Sequence, residues 1–193
     1  MTGIKRPAVV GVDGCRGGWI AIVAIDEGLS AVVVERVADL LAQLPEDALI
    51  TIDVPIGLVD CGARQCDQEA RRLLGSKRRS SVFPAPIRPV LEAGSYLEAC
   101  AIRERVEGKR MSQQAYAIIP KIREVDTLLR SSPDARPRIR EVHPEVCFWQ
   151  WNGGQPMAVK KKSKAGQLAR ETLIHAHWPG VHTSFLGRWP GTQ

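Results

Sequence analysis

No stretch of this sequence stays apolar for the roughly 20 residues that a membrane-crossing helix needs. The opening Met1-Thr2-Gly3-Ile4-Lys5-Arg6-Pro7 runs straight into a strand-like Ala8-Val9-Val10, with no signal-peptide core. The sequence therefore reads as cytoplasmic, with no membrane partner. An even set of cysteines is also missing: the five present (Cys15, Cys61, Cys66, Cys100, Cys147), without an export signal, imply free thiols in a reducing compartment. Nor is there a zinc pattern, because Cys61-x4-Cys66 has no second tight pair, only His143 and Cys147 far downstream. Internal repeats and low-complexity tracts are lacking too. What remains is a globular composition, 44% hydrophobic and 25% charged over 193 residues, enough for one domain with a sizeable core. The net charge of +6 permits a polyanionic partner without demanding one.

Three short apolar runs, Ala8 to Val12, Trp19 to Ile25 and Ala31 to Val37, are separated by Gly14/Gly17/Gly18 and Asp26-Glu27-Gly28. Such short glycine-bearing connections predict three antiparallel hairpin strands. Apolar residues at 37, 40, 41 and 44 mark one face of a short helix stopped by Pro45, and Leu49 to Val54 follows as a strand ended by Pro55. A helical crossover returns that strand parallel to the first and beside it. From about 60 to 135 helical spacing takes over, predicting a helical insert within a single domain spanning 1–193. Cys66, Ala70, Leu73 and Leu74 share a face stopped by Gly75. Ser95-x-x-Glu98 is a capping box for a helix ending near Gly108. Ser112 caps a third helix with the stripe Ala115, Ile118, Ile119, Ile122, Val125, Leu129, which Pro120 should kink. Ile139 to Val142 resumes the sheet, and Ser163 to His177 forms a last helix with Ala165, Leu168, Ala169, Thr172 and Ala176 inward.

Two aspartates end apolar strands, Asp13 after Val9-Val10-Gly11-Val12 and Asp53 after Leu49-Ile50-Thr51-Ile52. If those strands are parallel neighbours, both carboxylates emerge at one edge of the sheet, where like charges repel unless a divalent cation sits between them. Mg²⁺ or Mn²⁺ suits oxygen donors at such an edge. Asp13-Gly14 also reads as a turn dipeptide and Asp53 as a hydrogen-bonded strand end. Glu141-Val142-His143-Pro144-Glu145 brings two more carboxylates and an imidazole to another strand end. His143 also fits a partly buried histidine donating to a carbonyl, and Glu145 a helix-N-terminal charge.

Six ordered strings carry a resemblance: Val10 to Trp19, Ile52 to Gly57, Cys66-Asp67-x-x-Ala70-Arg71, Ser81-Val82-Phe83-Pro84-Ala85-Pro86-x-Arg88, Lys121-Ile122-x-Glu124-Val125-Asp126 and Glu141 to Glu145. Together they resemble the predicted nucleases of domain-of-unknown-function family 429, from about residue 8 to about residue 175. The resemblance implies a ribonuclease-H-like α/β fold, a mixed sheet of three antiparallel hairpin strands plus parallel strands with a helical insert. It also implies a metal-dependent hydrolase cleaving phosphodiester bonds of nucleic acid, DNA or RNA. By position, Asp13 and Asp53 resemble the first two metal-binding acids and Glu141 or Glu145 the third, with His143 or Glu145 shuttling the proton. A fourth acid, usual on the last helix of such nucleases, has no counterpart after Glu171. Arg16, Arg88 and Lys121, each inside a shared string, are the expected phosphate contacts. Lys160-Lys161-Lys162-Ser163-Lys164 adds charge, and Trp149 and Trp151 suit base stacking or an ordinary core.

Two other classes fit parts of the pattern. A non-catalytic ribonuclease-H-like scaffold binding nucleic acid or protein is consistent with the missing fourth acid. The glycine-rich hairpin from Gly11 to Trp19 also suits an actin-like nucleotide-binding phosphotransferase, although such proteins need a second matching domain.

Overall fold

A computed structural model describes residues 7–25 and 28–179. The described residues fall into two compact units, one within 1–68 and 83–142, the other within 69–82 and 143–193. Among the described residues no helix is long and apolar enough to cross a membrane.

The first unit is a mixed α/β structure. Its sheet comprises β1 (Val9–Cys15), β2 (Gly18–Ile25), β3 (Gly28–Val34), β4 (Leu49–Ile52) and β5 (Ile139–Glu141), in the order β3-β2-β1-β4-β5. β1 pairs antiparallel with β2, as does β2 with β3, while β4 runs parallel to both β1 and β5. The three hairpin strands and the parallel return of β4 after α1 (Val37–Gln43) agree with the sequence reading. Gly18 has φ +134°, and a Cβ there would lie 2.1 Å from the Val34 carbonyl oxygen, so only glycine lets β2 start against the end of β3.

Residues alternate across the pleat, and one face holds the core. Val10, Trp19, Ala21, Ile50 and Ile52 are fully buried there with Leu40 of α1 and Ile122 of the insert. The insert is helical as expected. It contains α2 (Gln65–Arg78), then a 3-10 turn (Arg88–Glu92), α3 (Tyr96–Glu107), α4 (Gln113–Ala117) and α5 (Ile119–Ser131). Ser95 Oγ accepts the Glu98 N–H, and Gly108 closes α3 in the left-handed region. Pro120 breaks the expected third helix rather than kinking it: α4 stops at Ala117, and Pro120 occupies the first turn of α5, where a missing N–H costs nothing.

One side chain ties three of these elements together. Glu124 on α5 accepts the Trp19 Nε1–H at 3.0 and 2.9 Å and the Val37 backbone N–H at 2.6 Å. Val37 opens α1, whose preceding Arg36 supplies no side-chain cap, so Glu124 caps that helix from across the core. Lys121, one turn earlier, lies over the Trp19 ring at 4.4 Å and donates to the Gly18 carbonyl.

In the second unit, α2 is interrupted at Gly75 (φ 57°), the expected stop, but helix resumes beyond it to Arg78. The unit also holds α6 (Pro144–Trp151) and α7 (Lys164–His177). The buried face of α7 differs from the expected one: Gly166 and Arg170 are inside, whereas Leu168 is 64% exposed. Gly166 sets this phase, because a Cβ there would lie within 1.9 Å of the Lys160 carbonyl oxygen, so the loop before the helix closes on that residue.

Replacing Glu124 by Ala strands the Trp19 and Val37 donors in the core. At about 1–3 kcal/mol for each unsatisfied group, the expected loss is about 2–5 kcal/mol in urea denaturation. A loss below about 1 kcal/mol would show that the tether contributes little.

Candidate functional site

The parallel ladder between β1 and β4 keeps a constant offset, Val9 with Leu49 through Val12 with Ile52. The next backbone step continues it, since the Asp53 N–H donates to the Val12 carbonyl at 3.2 Å. Asp13 and Asp53 thus occupy neighbouring positions at the carboxyl ends of adjacent parallel strands, about 4.8 Å apart across the ladder. Both are exposed. Asp13 Oδ1 accepts the Gly14 N–H at 2.7 Å, the local bond expected of an Asp-Gly pair.

Glu141 lies on the other side of the sheet. It pairs with Ile52, whose side chain is buried, whereas Asp13 pairs with Ile20 on the outward side. Directly paired residues share a face and successive residues alternate, so the pleat turns Asp13 and Glu141 apart. Glu141 instead meets Arg64, which precedes α2. The guanidinium binds it in bidentate fashion, Nη1 to Oε2 at 2.6 Å and Nη2 to Oε1 at 2.7 Å, and also binds Asp67 through Nε at 3.1 Å and through Nη2. Arg64 and Asp67 are both buried.

This network grips the loop after Asp53. Arg64 Nη1 donates to the Ile56 carbonyl at 2.8 Å, and Glu141 Oε2 accepts the Ile56 N–H at the same distance. Among the described residues, the group of potential metal ligands within 4.8 Å of one another is Cys66, Asp67 and Glu141; Asp13, Asp53 and Glu141 do not form one. Arg64 is already the cation held by Asp67 and Glu141. Burial works against its charge, yet the hydrogen bonds to Glu141 and Asp67 outweigh it and hold the guanidinium above its ordinary pKa. Burial pushes the neighbouring Cys66 thiol up; Arg64 opposes that rise and the two carboxylates add to it.

His143 and Glu145 belong to the second unit. His143 Nε2 lies 3.1 Å from the Ser81 carbonyl, to which it donates, and Nδ1 is buried with no partner among the described residues. Glu145 is buried at the start of α6 and receives Arg170 Nη2 on Oε1 at 2.6 Å, with Arg78 Nε 3.9 Å from Oε2. The last helix therefore presents an inward base. Glu171, the last acidic residue of the sequence, is exposed.

The three expected phosphate contacts have different fates. Arg16 is exposed on the β1–β2 turn. Arg88 pairs with Asp126 at 2.8 Å, and Lys121 is taken up by Trp19 and Gly18. Trp151 stacks on His177 with ring centroids 5.1 Å apart, Trp149 is half-buried, and Lys160, Lys161, Lys162 and Lys164 are all exposed. Sequence reasoning assigned no role to Arg64, Asp67, Glu124 or Arg170. The first two carried a signal in their opposite charges three residues apart; Arg170, partner to an acid 25 residues earlier, carried none.

The fold and these clusters define a mixed α/β protein with two acids at a parallel strand edge and a buried Arg–carboxylate clamp behind the loop that follows one of them. Residues 11–188 match the family described as "Protein of unknown function (DUF429)", and the chain belongs to that family. No curated protein and no solved structure matches the chain.

None of the five cysteines is in a disulfide, and Cys66 is exposed, so its thiol is open to alkylation. Arg64→Met leaves buried Asp67 uncompensated and is expected to cost about 3–5 kcal/mol. It also removes the charge that restrains the Cys66 pKa, so Cys66 in the folded variant should alkylate more slowly at pH 8.5 than in the parent, as read by peptide mass spectrometry. An unchanged rate and unchanged stability would remove the clamp from this account.

Proposed function

We propose that the protein is a divalent-cation-dependent hydrolase of phosphodiester bonds in nucleic acid, built on a ribonuclease-H-like sheet, with Asp13 and Asp53 holding the cation. The observation that carries this reading is the juxtaposition of two exposed carboxylates at neighbouring positions of parallel strands. Two hard oxygen donors at an exposed strand edge fit Mg²⁺ or Mn²⁺. The strand order β3-β2-β1-β4-β5, with β4 and β5 both parallel to β1, supports the ribonuclease-H-like assignment.

The chain's own residues have separable tasks in this reading. Asp13 and Asp53 bind the cation, which when bound lowers the pKa of water and offsets charge on the phosphate. Glu141 acts as a positioning residue, because both its oxygens are engaged by Arg64 and Ile56, fixing the loop that Asp53 begins. Arg16, exposed on the β1–β2 turn, supplies a sequence-independent phosphate contact.

A second reading, a non-catalytic nucleic-acid-binding scaffold, is favoured by one observation. Both candidates for a third acid, Glu141 and Glu145, are neutralised by buried arginines.

The test is cleavage of single- and double-stranded DNA and RNA in Mg²⁺ and in Mn²⁺. Asp13→Asn and Asp53→Asn are each expected to lower cleavage by more than about 100-fold, beyond the loss typical of supporting residues, with circular dichroism unchanged. Full turnover in either variant would remove the cation site. Salt-sensitive binding with no cleavage by the parent protein would establish the scaffold instead.

A further inference from the structure

The face of the sheet opposite the core is apolar and open. In the register it is formed by the residues that alternate with the buried ones, notably Val9, Ile20, Ile22, Leu29, Val33 and Leu49. Val9 and Val33 are each 44% exposed and Leu49 38%, and the other three are half-buried. Antiparallel strands that face water ordinarily carry polar residues on that face, and these carry apolar ones. An open apolar patch of this extent marks an interaction surface.

We propose that this face is the contact between two copies of the chain, packed sheet on sheet about 10 Å apart. Size and charge both point to a second copy. Three strands of seven or eight residues and two of three or four make a flat footprint of roughly 450 Å² per copy at standard strand spacing. Side-chain relief raises the accessible area above that, so two copies reach the about 1,000 Å² that a specific interface needs. Charge lies only at the margin, with Asp13 at the strand ends and Arg140 on the edge strand β5. That is an apolar centre with a polar rim, self-complementary across a twofold axis. The proposal stands independently of the hydrolase reading, since Asp13 and Asp53 lie at the rim.

The full chain at about 100 µM, above the micromolar upper end for interfaces of this size, is expected to sediment as a dimer. Val9→Lys and Val33→Lys place charges where the protomer already exposes its side chains, so the fold is retained, and each should weaken the dimer at least about 100-fold. A dimer unaffected by both substitutions would place the contact elsewhere and overturn the proposal. A monomeric parent chain would overturn it as well, and maleimide labelling of Val33→Cys would then identify the cover. Slow labelling would mean that another part of the same chain lies over the face, and rapid labelling that the face awaits a different protein. Loss of phosphodiester cleavage in Asp13→Asn with the dimer intact separates this inference from the proposed function.

Discussion

Four parallel pairings between β1 and β4 organise this molecule. They require a crossover, which α1 provides, and α1 in turn starts on a carboxylate lent by α5. The ladder sets Asp53 beside Asp13 and, by extension to β5, places Glu141 level with Ile52. Because the pleat alternates strictly, the same ladder that unites the first two acids sends the other to the opposite side of the sheet. Every statement about the candidate site follows from that parity.

The buried arginines complete the picture. A carboxylate taken out of water needs a partner, and three of the inward acids have an arginine: Arg64 for Asp67 and Glu141, Arg170 for Glu145. Such pairs add little net stability, but removing one member is costly because the other charge stays behind. They give rigidity to loops that would otherwise drift. The segment after Asp53 is held at both the N–H and the C=O of Ile56, an arrangement that fixes the direction in which that aspartate leaves the strand. Positioning of this kind is what a site with only two exposed acids requires.

The strands, α1 and the capped helix α3 were legible because each is specified by neighbours in sequence: a run of β-branched residues, a serine three residues before a glutamate, a glycine in the left-handed region. Asp13 and Asp53 could be found for the same reason, each closing its own apolar run. That Glu141 faces away from them was not legible, since it depends on counting residues across two ladders whose register no local signal reveals. The inward stripe of α7 was misjudged for a related reason. Apolarity pointed to Leu168, whereas the close approach of Lys160 to Gly166 rotated the helix so that Arg170 faces in.

By itself the sequence determined the element types, the antiparallel hairpins, the helical insert and the two strand-end aspartates, because these rest on contacts within a few residues of one another. Only the tertiary structure decided which acids face the same way, which are neutralised by arginine, and which apolar residues remain open on the sheet. Those outcomes depend on strand register and helix rotation, and both are set by packing between segments that lie far apart in the chain.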